Sequence, residues 1–413
     1  MHILLVHQYF VEKGSTVGGL RFNEMTKVWA DADNQITVVA GMVHYATGKK
    51  SEAYKGKYIY KEKYYRNINV IRCHVSESYN KSFLGRLWAY FSFVFSSVIG
   101  ILFFSKDKFD VILTTSPPLF VGITGYVISR IKKIPLIFEV RDLWPESAID
   151  TGVLTNKLLI KLSFAFEHFI YRKAESINVL TTAFRDKLIN EKNVPPDKVI
   201  YIPNGSDFSI SDKILKNFNR DRFRESIGLN GELIIIYVGA HGVANHLIQV
   251  IDTAELLKEE NILFLLIGDG MEKNMLKEEA VKRNLKNIKF IDAVPKEEIF
   301  KYIIASDFGA SILKRVDTFK TVLSNKTFDY MSCRKPIFML IDGVSRELVE
   351  TAECGIYSEP ENPKAFADNI LKLVNKGPAA WDKMGENGYE YAKKNFDRIE
   401  LAKRYIKDIE SIC

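Results

Sequence analysis

Short apolar runs alternate with longer amphipathic stretches along most of the chain, the pattern of βα units around a parallel sheet. In the first half this pattern predicts strands at Ile3–His7, Ile36–Ala40, Val70–Cys73, Val111–Thr114, Leu136–Val140, Ser176–Leu180 and Val199–Ile202. A polar, charged stretch from Ser209 to Gly231 interrupts the series. Strand candidates then resume at Ile234–Val238, Leu263–Ile267, Ile288–Phe290, Phe308–Ser311, Pro336–Leu340 and Gly355–Tyr357. The expected fold is α/β with two Rossmann-like domains, residues 1–207 and 208–390, and a last helical segment, 391–413, returning to the first domain. In doubly wound sheets ligands bind outside the carboxyl ends of the strands, so residues just after each strand are the ones to read for chemistry.

Two stretches stand outside this pattern. Leu87–Phe104 runs for 18 residues without a charge, the lower edge of a membrane span. It falls between two strands of one sheet, where crossing a bilayer would split the domain, and that position predicts a packed or interfacial helix. Lys49–Arg66 carries seven Lys/Arg against two Glu, with five tyrosines interleaved. It reads either as a solvated loop or hairpin, or as a surface meeting lipid phosphates with tyrosines at headgroup depth.

Composition narrows the class. With 413 residues, 47% hydrophobic and 26% charged, the chain has a globular balance and suits two domains rather than one core. The net charge of +7 favours anionic partners without choosing among a nucleic acid, a nucleotide sugar and an acidic membrane. No nucleic-acid motif accompanies the basic stretch, so no nucleic-acid partner is expected. Cys73, Cys333, Cys354 and Cys413 are far apart, which excludes a zinc ribbon and offers no disulfide framework. The chain opens directly into Ile3-Leu4-Leu5-Val6 without a basic leader, which predicts a cytoplasmic location.

The candidate chemistry follows the strands. After the first comes a loop with Gly18-Gly19, where backbone N–H groups can approach a phosphate at a helix N-terminus. There is no GxGxxG, and no acidic ribose ligand at the usual distance, so a nicotinamide enzyme is disfavoured. After Leu136–Val140 comes Arg141-Asp142-Leu143-Trp144-Pro145-Glu146-Ser147. One reading is a structural Arg–Asp pair with Trp144 in the core; the other puts Asp142 or Glu146 on sugar hydroxyls. Ile202-Pro203-Asn204-Gly205-Ser206-Asp207 reads as a strand and tight turn at the linker. The second half offers Val238-Gly239-Ala240-His241-Gly242, then Ile267-Gly268-Asp269-Gly270, then Ser324-Asn325-Lys326-Thr327-Phe328-Asp329. In the last, Ser324 or Asn325 can cap a helix, and Lys326 adds a charge beside the dipole, which makes an anion site. Asp329, one turn on, can accept hydrogen bonds from ribose hydroxyls. Each of these charges is also an ordinary surface residue type.

In their order, Gln8-Tyr9-Phe10, Gly18-Gly19, Val140–Ser147, Ile202–Asp207, Val238–Gly242, Ile267–Gly270 and Lys326–Pro336 resemble the family-4 retaining glycosyltransferases with the GT-B fold. Within that family the likeness is to the bacterial O-antigen and capsule subgroup of WbuB-like N-acetyl-L-fucosamine transferases. The resemblance spans essentially the whole chain. It implies two domains facing across a cleft, with Gly18 and Gly19 approaching donor phosphate and acceptor and Asp142 near the transferred sugar. Arg141, Gly239 and Gly242 would belong to the donor site, with Lys326 at the phosphate and Asp329 at the ribose. The family's pattern has two glutamates eight positions apart; here Thr321 takes the earlier place and Asp329 the later one. The Arg and Lys that commonly meet the diphosphate are missing from 239–247, so either Lys314, Arg315 or Lys326 substitutes or diphosphate binding is weaker. The implied partners are a UDP-sugar donor, a polyprenyl-diphosphate-linked glycan acceptor and an anionic membrane surface.

Such an enzyme needs no metal if a helix N-terminus and a lysine neutralise the leaving diphosphate. Asp31-Ala32-Asp33 spells the DxD metal signature of the other large glycosyltransferase fold, but its place before the second strand predicts a turn. No cofactor is expected. The competing readings are a non-hydrolysing nucleotide-sugar epimerase, a sugar phosphorylase and a non-catalytic glycan-binding scaffold.

Overall fold

The structure, a computed structural model, describes residues 1–13, 21–44, 48–78, 82–229 and 231–413. The chain divides into two compact units, Met1–Pro203 with Ile399–Cys413, and Asn204–Arg398. Both joints lie a few residues from the expected boundaries of 207 and 390. The second moves because the long helix Pro378–Phe396 buries Tyr389, Ala392 and Phe396 in the core of the second unit.

The first unit holds strands β1 (His2–Val6), β2 (Gln35–Gly41), β3 (Ile59–Tyr65), β4 (Ile68–Cys73), β5 (Val111–Ser116), β6 (Leu136–Val140), β7 (Ser176–Val179) and β8 (Val199–Tyr201). They form one sheet in the order β3-β4-β2-β1-β5-β6-β7-β8, parallel except that β3 runs antiparallel to β4. The strand order reverses between β1 and β5, the place where doubly wound sheets open a crevice. Helices Arg21–Asp31 and Arg398–Glu410 cover one face of the sheet, with Trp29 Nε1 donating to Ala402 O at 2.8 Å. The terminal helix belongs there because Leu401, Ala402, Tyr405, Ile406 and Ile409 form one buried stripe at helical spacing.

On the opposite face lie the helices Phe83–Phe104, Val121–Lys132 and Lys157–Lys173, side by side. The apolar segment is thus a packed helix. A Cβ on its Gly100 would stand 2.9 Å from Cys73 Sγ, and Ser97 Oγ bonds Thr124 Oγ1 of the next helix at 2.9 Å.

β3 is the strand the apolar pattern does not disclose, because its Tyr–Lys alternation carries little hydrophobic signal. It lies in the basic stretch and forms the sheet edge, with Lys61 and Lys63 exposed as edge charges commonly are. The five tyrosines do not share one outward face. Tyr64 is buried against Phe10 at 5.1 Å between ring centroids, and Tyr54 is buried beneath Arg72.

The second unit holds β9 (Leu233–Val238), β10 (Ile262–Ile267), β11 (Ile288–Ile291), β12 (Phe308–Ile312), β13 (Ile337–Leu340) and β14 (Gly355–Tyr357). All run parallel in the order β11-β10-β9-β12-β13-β14, with the switch point between β9 and β12. Every strand expected from the sequence is present, with ends shifted by no more than two residues.

Candidate active site

In the second unit the site begins where β9 and β12 part. Their pairing stops at Ile236 and Gly309. Into the opening Tyr330 inserts its hydroxyl, which accepts from Val238 N at 3.0 Å and lies 3.3 Å from Ala310 O. Gly309 permits this, since a Cβ there would fall 2.4 Å from the Tyr330 ring. Tyr330 thereby pins the helix Asn325–Ser332, and one turn earlier on the same face stands Lys326.

Lys326 Nζ sits 4.7 Å from the centroid of the Tyr237 ring. A Cβ on Gly239 would be 3.2 Å from Lys326 Cε, so a side chain at 239 would fill the space beside the ammonium. No carboxylate ion-pairs with it among the described residues, and burial lowers the ammonium to about 8. Ser324 precedes the helix as expected, but its side chain makes no capping bond. Its hydroxyl lies 3.5 Å from Lys326 Nζ instead, and of the first-turn amides Thr327 N donates to Ser324 O at 3.1 Å.

Gly239, with φ 143°, and Gly268, with φ 149°, form two turns in close contact. Lys273, itself buried, donates to Gly268 O at 2.7 Å and to Asp292 Oδ1 at 2.6 Å, which fixes the second turn. His241 is buried between the turns, both ring nitrogens without a hydrogen-bond partner, and burial carries it down to about 4. A Cβ on Gly242 would meet Asn245 Oδ1 at 3.9 Å, an ordinary contact. Lys314 is exposed, and its backbone N–H donates to Ala244 O at 2.8 Å, so it joins the same loop cluster. Arg315 is paired with Glu359 at 2.9 Å. Thr321 donates to Thr318 O at 2.6 Å in a short 3-10 turn.

Asp329 is turned toward the linker. Its Oδ1 accepts from the fully buried Ser206 Oγ at 2.9 Å, and burial raises its carboxyl above the usual range. Ser206 is in turn fixed by a parallel bridge to Asp397.

In the first unit the corresponding place lies past β1, β5 and β6. Gly18 and Gly19 lie outside the described residues. The two ends of their loop are held by buried cations. Arg72 donates to Phe10 O and to Glu62 Oε1 at 2.8 Å, and Arg21 forms a two-pronged pair with Glu139, each bond 3.2 Å. His7 is buried with both ring nitrogens unpartnered; burial, helped by Arg141 and Arg72, keeps it well below the ordinary histidine value and therefore neutral.

Arg141 Nε donates to Ser116 O at 3.1 Å, across the β5–β6 edge. Asp142 is half-buried; its Oδ2 accepts from Ser147 Oγ at 2.9 Å, and burial raises its carboxyl. Trp144 meets Phe120 edge-on at 5.8 Å. Glu146, whose charge also acts on Asp142, is 2.7 Å from Lys192, which holds Glu167 at 2.6 Å as well. Burial pushes Glu167 up to about 7. Asp31 accepts from Arg66 at 3.0 Å, with Ala32 and Asp33 forming a turn at the amino edge of the sheet. Among the described residues no group of three or more His, Cys, Asp or Glu is placed to hold a metal ion.

Sequence reading singled out neither His7 nor His241, nor the Arg21–Glu139 pair. For the pair a signal existed: a carboxylate in the otherwise apolar run Leu136-Ile137-Phe138-Glu139-Val140 demands a buried cation.

Comparison with known proteins agrees with this architecture. The chain is 22% identical over 393 residues to the glycosyl transferase WcaI of Escherichia coli (strain K12), which is ascribed to colanic acid biosynthesis, covering 94% of each chain. Among solved structures, sucrose-phosphate synthase from Thermosynechococcus elongatus superposes with a TM-score of 0.77 at 15% identity, over 99% of this chain and 98% of that one. HepE of Anabaena, in complex with UDP and glucose, gives 0.71 at 16% identity over 100% of both. These likenesses show the fold, the two-domain GT-B architecture. Residues 19–205 match the glycosyl transferase 4-like domain, and residues 219–391 match the glycosyl transferases group 1 family. The chain is a glycosyltransferase, built from a glycosyl transferase 4-like domain followed by a group 1 glycosyl transferase domain.

Proposed function

We propose that the protein transfers a sugar, with retention of anomeric configuration, from a UDP-sugar to a polyprenyl-diphosphate-linked glycan at the cytoplasmic face of the cell membrane. The product would belong to a bacterial surface polysaccharide of the O-antigen or capsule type. The WbuB-like motifs suggest an N-acetylated deoxyhexosamine such as N-acetyl-L-fucosamine as the sugar. The observation that carries the reading is Lys326, an ammonium with no carboxylate partner among the described residues, beside Gly239 at the start of a helix. A diphosphate placed there meets first-turn amides and a full positive charge. The second oxygen of Asp329 is available for ribose, and Gly242 leaves room for the nucleotide.

As the bond from C1 to the diphosphate breaks, Lys326 and the amides take up the growing negative charge, so catalysis is mainly positioning and electrostatics. The leaving phosphate accepts the proton of the incoming hydroxyl on the same face, so no carboxylate nucleophile is required. Asp142, past β6, is the candidate for orienting the sugar hydroxyls, with Arg141 next to it in the chain. Support for the nucleotide comes from the complex of the Anabaena protein with UDP and glucose, and support for the pathway from the name of the E. coli relative.

The test is a panel of nucleotide sugars in thermal-shift measurements, since a true donor stabilises the folded state by mass action. Transfer to a short-chain polyprenyl-diphosphate glycan follows, with the product anomer read by NMR. A UDP-sugar consumed without acceptor to give its C2 epimer would replace the reading by an epimerase; an inverted product would remove retention.

A further inference from the structure

The helix Phe83–Phe104 has two apolar faces, and among the described residues only one of them is covered. Inward, Phe93, Val94, Gly100 and Ile101 are buried on the sheet and the neighbouring helix. Outward, Leu84 is 75% exposed, Trp88 57%, Phe95 56% and Phe103 75%, with Ile99 on the same stripe. Positions 84, 88, 95, 99 and 103 fall on one side of a helix, and no charge interrupts the segment after Arg86. Two helices away in the same layer, Leu158 and Leu162 of Lys157–Lys173 are also more than half exposed. A water-facing helix normally carries polar residues on this side, and a contiguous apolar face of this kind marks a contact surface.

We propose that the outer surface of this three-helix layer seats the protein on an anionic bilayer, with the stripe of Phe83–Phe104 lying in the plane of the interface rather than crossing it. Two observations choose the occupant. The three helices Phe83–Phe104, Val121–Lys132 and Lys157–Lys173 contain seven Lys/Arg and one acidic residue, Glu167, which is buried against Lys192. An apolar stripe on a layer with this excess of positive charge complements anionic headgroups over acyl chains, whereas a second copy would bring like charges together. The inward face excludes a span. Ser96 Oγ bonds His74 O at 2.7 Å, Ser92 Oγ accepts from Ser76 N at 2.9 Å, and Gly100 packs on Cys73, all of which a span would break.

The surface also reaches the reaction site within its own unit. Phe120 contacts Phe91 of the apolar helix at 5.0 Å, stacks on Phe166 at 5.8 Å and meets Trp144, two residues past Asp142. This deepens the proposed function and rests on its lipid-linked acceptor only for its purpose; the docking itself stands on the stripe and the charge.

The experiment is co-sedimentation with vesicles of phosphatidylcholine, with and without a third of phosphatidylglycerol, for the full chain and for the combined variant Trp88→Ser, Phe95→Ser, Phe103→Ser. Melting curves and UDP binding serve as controls for its fold. The expected result is strong binding to the anionic vesicles only, release by alkaline carbonate, and at least a tenfold loss of binding in the variant with UDP affinity unchanged. Binding unaltered by the substitutions would overturn the proposal. So would wild-type protein that resists carbonate, which would show a span, or a wild-type dimer that the variant dissolves without any vesicle binding. Should vesicle binding follow expectation while no UDP-sugar is consumed, the surface stands and the transfer reaction is what fails.

Discussion

Arg21 and Glu139 face each other inside the first unit, Nε to Oε1 and Nη2 to Oε2, both at 3.2 Å, with Glu139 wholly buried. Arg21 opens the helix that follows the Gly18-Gly19 loop, and its guanidinium also donates to Ile202 O at 2.8 Å and to Pro203 O at 2.6 Å. Asn178 Nδ2 and Thr115 Oγ1 also donate to the carboxylate, at 2.8 and 3.3 Å. One buried pair thus locates the start of a helix, the end of β6 and the exit toward the second unit. Removing one partner strands a buried charge, which typically costs about 3–5 kcal/mol. Glu139→Ala is therefore expected to lower unfolding stability by that amount in urea titration; a loss under about 1 kcal/mol would show that the pair does not organise this end of the sheet.

Lys326 is the proposed anchor of the nucleotide diphosphate. Lys326→Ala should weaken UDP binding by about 1–2 kcal/mol, the scale of a charge-assisted hydrogen bond. Isothermal calorimetry measures this directly, and unchanged affinity would remove Lys326 from the site.

The same residue sets a pH window. The free ammonium is lowered to about 8, and a bound diphosphate favours its charged form, so binding takes up a proton wherever Lys326 is neutral beforehand. UDP affinity should be level from pH 7 to just under 8 and fall as pH rises above 8. In the Lys326→Ala variant the fall should disappear.

Asp142 and Glu146 should separate in their effects. Losing a hydrogen bond to a charged group costs about 1.5–3 kcal/mol, so Asp142→Ala should reduce kcat/KM by between ten- and about a hundredfold with little change in stability. Glu146, engaged by Lys192 at 2.7 Å, should show the reverse under Glu146→Gln, with a lower melting temperature and near-normal turnover by the folded enzyme. Equal losses of turnover in both would place Glu146 in the reaction after all.

Transfer is expected to survive EDTA, because in the proposed site the positive charge at the diphosphate would come from Lys326 and helix amides. Activity lost to the chelator and restored by Mg²⁺ or Mn²⁺ would reopen the metal question, with Asp31 and Asp33 the first residues to replace.

The alternation of buried apolar runs with amphipathic stretches determined, without any coordinates, two sheets of parallel strands and every strand in them but the antiparallel edge strand β3, because a strand covered on both faces must be apolar throughout. The order of short motifs, from Gly18-Gly19 to Lys326–Pro336, likewise revealed the class of enzyme. Tertiary structure decided what local pattern does not encode. It gave Glu139 its cation from a residue distant in sequence, turned Asp329 toward Ser206, tied Glu146 to Lys192, and made Lys61 and Lys63 the edge of a sheet. It also split the helix Phe83–Phe104 into a covered face and an open one. All of these depend on which elements pack together, and a side chain's partner across a fold is set by that packing rather than by its neighbours along the chain.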